Sequence, residues 1–120
     1  MNFSFDLYGT YFEYKEFFDV FAIAMQKMGN RVGIITGERE KDAFTGEDFK
    51  QKILPQLGFV PDFFHVWGAV ETIVNGNSWK AQKMFEEKIA VHFDDDAKEI
   101  KRYTDLWVMK TLNPSQKEKF

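Results

Sequence analysis

Asp6, Thr36, Asp94 and Asp95 each stand where a short apolar run gives out, in FSFD, GIIT and HFDD. If those runs are parallel strands of one sheet, the four residues converge on one edge. Functional groups in such sheets gather outside the carboxyl ends of the strands. Carboxylates held together repel one another, and a bound cation offsets the cost. An all-oxygen donor set in a chain with no Cys suits Mg²⁺ better than zinc. Lys80 falls in the first turn of a helical segment that precedes the HFDD run, close to the same edge, where it can neutralise charge. An aspartate, a metal ion, a hydroxyl and a lysine are the equipment of phosphoryl transfer. The aspartate attacks, the cation and lysine stabilise charge on the equatorial oxygens, and the hydroxyl with backbone N–H groups holds the phosphate. Taken singly these residues are ordinary: a turn-forming Asp, a capping Thr, a solvated Lys, a DDD turn with Asp96 as helix cap. Their joint placement on successive strand ends carries the reading. His65 and His92 lie inside strand runs and are read as structural.

The elements that must position them follow from periodicity and punctuation. Residues 2–7 read as a strand. Residues 13–28 read as a helix, with Phe17, Phe21, Ala24, Met25 and Met28 at helical spacing and Gly29 as the stop. RVGIIT is a second strand, leading into a charged loop, EREKDAFTG. Thr45 caps a helix with Phe49, Ile53 and Leu57 on one face. Pro55 should kink or split it and Gly58 should end it. DFFHVWG is a third strand, AVETIVNGN a loop, and SWKAQKMFEEK a helix capped by Asn77 or Ser78. IAVHF is a fourth strand. DDDAKEIKRY reads as a short helix with Asp96 and Glu99 spaced as a capping box. DLWVMK is a fifth strand and NPSQKEKF a polar tail. Strict alternation with short links predicts a single α/β domain over residues 1–120, a five-stranded parallel sheet with helices on both faces.

Composition narrows the function classes. Aromatics make up 18% of the chain, with 14 Phe, which predicts a Phe-packed core rather than an aromatic binding surface. The net charge of −3 and the lack of a basic stripe give no nucleic-acid signature. The absence of Cys removes disulfides, thiolate metal sites and cysteine nucleophiles. No apolar stretch is long enough to cross a membrane, and the N-terminus lacks the pattern of a signal peptide, so the cytoplasm is expected.

With these residues in view, FDLYGT, IITGE, the Lys80 helix and HFDDDAKEI resemble the four motifs of the haloacid dehalogenase (HAD) superfamily of hydrolases, in order and over nearly the whole chain. They are most similar to its small phosphatase-like members of phage and bacteria. The resemblance implies a three-layer, Rossmann-like (HAD-like) fold with no cap domain, since neither usual insertion point has room for one. It implies Mg²⁺ as cofactor and assigns roles. Asp6 would be the nucleophile. The backbone carbonyl of Tyr8, with Asp6, Asp94 and Asp95, would hold the metal. Thr36 and the N–H of Gly37 would bind phosphate, and Lys80 would bridge Asp6 and phosphate. Glu99 would act through water. Glu38 stands where the similar proteins carry Arg, and Arg39 could substitute. An open site suits a substrate that is large or closes the site itself, or closure by a second subunit, and the expected partner is a small phosphorylated substrate or a phosphorylated macromolecule. Trp67, Trp79 and the loop between them are a candidate exposed patch for a homodimer.

Tyr8 departs from the phosphatase pattern, which has Asp there to protonate the leaving oxygen and then activate water. Tyrosine, with an ordinary pKa near 10, is a poor general base at neutral pH. Three readings follow: a slow Mg²⁺-dependent phosphohydrolase, a catalytically impaired protein that binds a phosphorylated ligand or a protein partner, and a metal-independent, dehalogenase-type displacement by Asp6. The third ranks lowest, because DLYGT resembles that branch but the acidic fourth motif favours a metal and there is no room for the cap.

Overall fold

The computed structural model describes residues 1–37, 46–67, 76–95 and 101. In chain order these form β1 (Asn2–Phe5), α1 (Lys15–Lys27), β2 (Arg31–Thr36), α2 (Gly46–Ile53), β3 (Phe64–Val66), α3 (Gly76–Glu86) and β4 (Ile89–Phe93). The architecture is α/β with an all-parallel sheet of four strands in the order β3-β2-β1-β4. The fifth strand and the helix expected after Asp95 fall outside the described residues, as do Glu38, Arg39, Thr45, Asp96 and Glu99 and the side chains of Asn77 and Ser78.

Strand order explains where a site can form. From β1 the chain moves outward to β2 and β3, then returns to lay β4 on the other side of β1. Connections on either side of β1 therefore diverge, and the carboxyl ends of β1 and β4 border the crevice this leaves. The register aligns Phe5 with Ile34 on one side and with Phe93 on the other. Asp6, the residues after Ile34 and Asp94 are thereby brought level.

Alternate residues of β2 feed two apolar clusters, as a strand buried on both faces requires. Val32 and Ile34 join Phe3, Phe5, Phe18, Ala22, Phe49 and Ile53, whereas Ile35 joins Phe63, Trp79 and Ile89. The larger cluster is the expected Phe core. The Phe5 ring lies 4.7 Å from Phe18, 5.9 Å from Phe59 and 5.7 Å from Phe93, centroid to centroid.

Several expectations are corrected in detail. β1 ends at Phe5, so Asp6 stands just past the strand, and β3 keeps only three residues. The buried stripe of α1 is Phe18 and Ala22, flanked by Phe21 and Met25, while Phe17 and Met28 point outward at 61% and 72% exposure. Trp79 is buried against Ile35, Phe63 and Ile89, which removes it from any exposed Trp patch. Pro55 acts as expected: α2 stops at Ile53 and Leu54–Gln56 tighten into one 3₁₀ turn.

Candidate functional site

The loop after β1 builds the centre of the site. The Tyr11 N–H donates to the Asp6 carbonyl and the Phe12 N–H to the Leu7 carbonyl, so two wide turns close over residues 7–11. Tyr8 is extended (φ −74°, ψ 136°) and Gly9 is left-handed at φ +79°. Glycine is required at position 9 on two counts. Other residues resist this backbone conformation, and a Cβ here would collide with the Asp95 carboxylate. The Asp6 N–H donates to the Phe93 carbonyl at 2.9 Å, tying this loop to the end of β4.

Five of the expected residues come together. Asp6 is 2% exposed and Lys80 3%. The Thr36 hydroxyl donates to Asp6 Oδ1 at 2.6 Å. Lys80 Nζ lies 3.6 Å from Asp6 Oδ1 and 3.3 Å from Asp94 Oδ2. Asp6, Asp94 and Asp95 each offer a carboxylate oxygen within 4.8 Å of the others. The Thr10 hydroxyl donates to Asp95 Oδ1 at 3.5 Å. Gly37 packs against the Lys80 stem, where a Cβ would sit 3.2 Å from Cε.

Electrostatics follow from burial. The Asp6 carboxyl is held above its ordinary range, first by burial and further by the Asp94 charge. Lys80, the Thr36 hydroxyl and the Leu7 N–H oppose this without overcoming it. An oxygen-only set of clustered carboxylates in this state could hold a metal ion, which would relieve both burial and repulsion.

The Tyr8 side chain joins the aromatic packing, its ring 5.4 Å from Phe12, and it is half-buried beside the larger core. Beside the carboxylates opens a pocket of about 360 Å³, lined by Tyr14, Phe18 and Phe93 together with Thr10, His92, Asp94 and Asp95.

Two residues carry more than the sequence reading gave them. His92 Nε2 lies 3.2 Å from Asp94 Oδ2, and His92 Nδ1 lies 2.7 Å from the hydroxyl of Ser4, which is fully buried. The signal that would have found them is positional. Ser4 and Asp6 are two residues apart, as are His92 and Asp94, and parallel pairing sets Ser4 opposite His92. His65 keeps a structural place. Its Nε2 is buried 3.7 Å from Glu87, and burial pushes the imidazole pKa down.

No protein-family model, curated protein or solved structure matches the chain.

Proposed function

We propose that the chain is a HAD-type, Mg²⁺-dependent phosphohydrolase that works through an aspartyl-phosphate on Asp6, in a capless, three-layer Rossmann-like fold. The observation that carries this is the meeting of Asp6, Thr36, Lys80, Asp94 and Asp95 at the carboxyl ends of adjacent parallel strands. Asp6 Oδ1 takes the Thr36 hydroxyl and faces Lys80, and a carboxylate oxygen of Asp6 makes the attack. That oxygen forms a bond to phosphorus as the bond from phosphorus to the leaving oxygen breaks. Water then attacks phosphorus, the bond to Asp6 breaks, and the carboxylate is restored with release of inorganic phosphate. Lys80, fixed between Asp6 and Asp94, supplies positive charge for the phosphoryl oxygens. Thr36, turning its one hydroxyl proton from Asp6 to the phosphate, and the Gly37 N–H would hold the phosphate, with Tyr8 lending its backbone carbonyl beside Asp6, Asp94 and Asp95. A bound Mg²⁺ would supply Lewis-acid stabilisation of phosphoryl charge.

No carboxylate stands at position 8, so the leaving oxygen draws its proton from solvent, and substrates with good leaving groups are favoured. The aromatic lining beside Asp94 and Asp95 suits an apolar or aryl group there. The test is hydrolysis of a generic aryl phosphate by the pure protein. Release should depend on Mg²⁺, cease with chelator and be abolished in Asp6→Asn. Turnover retained in that variant would remove Asp6 as nucleophile.

The second reading, a protein that binds a phosphorylated ligand without turning it over, is favoured by the packing of the Tyr8 ring on Phe12. Phosphate-ester binding with no metal-dependent release would select it.

A further inference from the structure

We propose that Ser4 and His92 form a buried brace that fixes the Asp94 carboxylate for cation binding. This inference rests on the metal-dependent reading of the site. The brace is built by the sheet itself. Ser4 on β1 is in register with His92 on β4, so the two side chains emerge together, one step behind Asp6 and Asp94. His92 Nδ1 lies 2.7 Å from Ser4 Oγ and His92 Nε2 lies 3.2 Å from Asp94 Oδ2. Ser4 is 0% exposed, and the side chains of His92 and Asp94 are 4% and 0% exposed.

Hydrogen-bond chemistry gives the neutral chain one consistent direction. An ionised Asp94 only accepts, so Nε2 of His92 carries the proton. Nδ1 is then an acceptor and the Ser4 hydroxyl donates to it. A tautomer fixed from behind in this way holds the donor, and through it the carboxylate, in one orientation. Lys80 meets the same Oδ2 at 3.3 Å and reaches Asp6 Oδ1 at 3.6 Å, so the brace also governs where that cation rests between the two carboxylates. The Ser-His-Asp sequence of contacts does not make Ser4 a nucleophile, because its hydroxyl is fully buried against His92, with Phe3 and Phe5 on the opposite face of the strand. His92 is thus a positioning residue.

The test uses Mn²⁺ as probe, with affinity read from water-proton relaxation, and the His92 tautomer read by long-range ¹H–¹⁵N NMR. Wild-type protein should show the Nε2–H tautomer. His92→Leu should weaken Mn²⁺ binding by about 10- to 100-fold, and His92→Gln, which keeps a donor toward Asp94, should recover most of it. Ser4→Ala should give a smaller loss, with mixed tautomers at His92. An Nδ1–H tautomer in the wild type would overturn the brace even if no variant folded. Equal Mn²⁺ affinity in wild type, His92→Leu and His92→Gln would overturn it too while leaving the metal site standing. Wild type that binds no Mn²⁺ would overturn the metal-dependent reading and the brace with it.

Discussion

At the scale of single residues, Tyr8 is the residue that limits turnover under the proposed phosphohydrolase reading. Its ring packs on Phe12, and position 8 carries no carboxylate to protonate a leaving oxygen. Tyr8→Asp should therefore raise turnover of alkyl phosphates by about 10²-fold, within the usual range for a positioned acid–base group, and raise aryl phosphate turnover less. Steady-state kinetics on both substrate types checks this, and an unchanged alkyl rate would contradict it. Much of the candidate site was legible at this scale. Asp6, Thr36, Asp94 and Asp95 announce themselves as polar residues at the ends of apolar runs, and Lys80 by its helix before β4, although α3 begins at Gly76 and sets Lys80 one turn further in than expected. Ser4 and His92 did not, because their meaning lies in a cross-strand register that neither run expresses alone.

At the scale of elements, the loop after β1 is held by more than its own turns. The buried Tyr11 hydroxyl donates to Asp19 on α1 and accepts from the Gly58 N–H at 3.1 Å. That N–H also lies 3.2 Å from Asp19 Oδ1. Lys15 Nζ closes the set at 2.7 Å from Asp19. Burial and the Asp19 carboxylate push the Tyr11 phenol pKa up, so the hydroxyl stays protonated as donor. Tyr11→Phe should cost about 1.5–3 kcal/mol in urea unfolding, the usual worth of a hydrogen bond to a charged group, here the Asp19 carboxylate. A cost near zero would show the network to be incidental. Element identities were largely readable: β2 and β4 occur as RVGIIT and IAVHF, and Pro55 ends α2. The face of α1 was not. Its apolar residues occupy more of the helix circumference than the core covers, so periodicity alone could not separate Phe17 from Phe18.

At the scale of the whole molecule, the site opposes the fold. The native protein holds a proton on Asp6 more tightly than the unfolded chain, whose carboxyl keeps the ordinary value near 3.8. The Asp6 contribution to stability therefore falls as pH rises above that value and through the raised native pKa. Asp6→Asn removes this penalty. Without divalent cations its melting temperature should exceed that of wild type at neutral pH, with the gap closing toward pH 4. Mg²⁺ should stabilise the wild type more than the variant. Thermal melts across pH check both, and a gap that is negative or independent of pH would contradict the account.

The most direct measurement is acid quenching of the protein during turnover of an aryl phosphate with Mg²⁺, followed by peptide mass spectrometry. One added phosphoryl group is expected on Asp6, absent with chelator and absent in Asp6→Asn. Turnover with Asp6 unmodified, or a phosphoryl group on another residue, would contradict the proposed aspartyl-phosphate on Asp6.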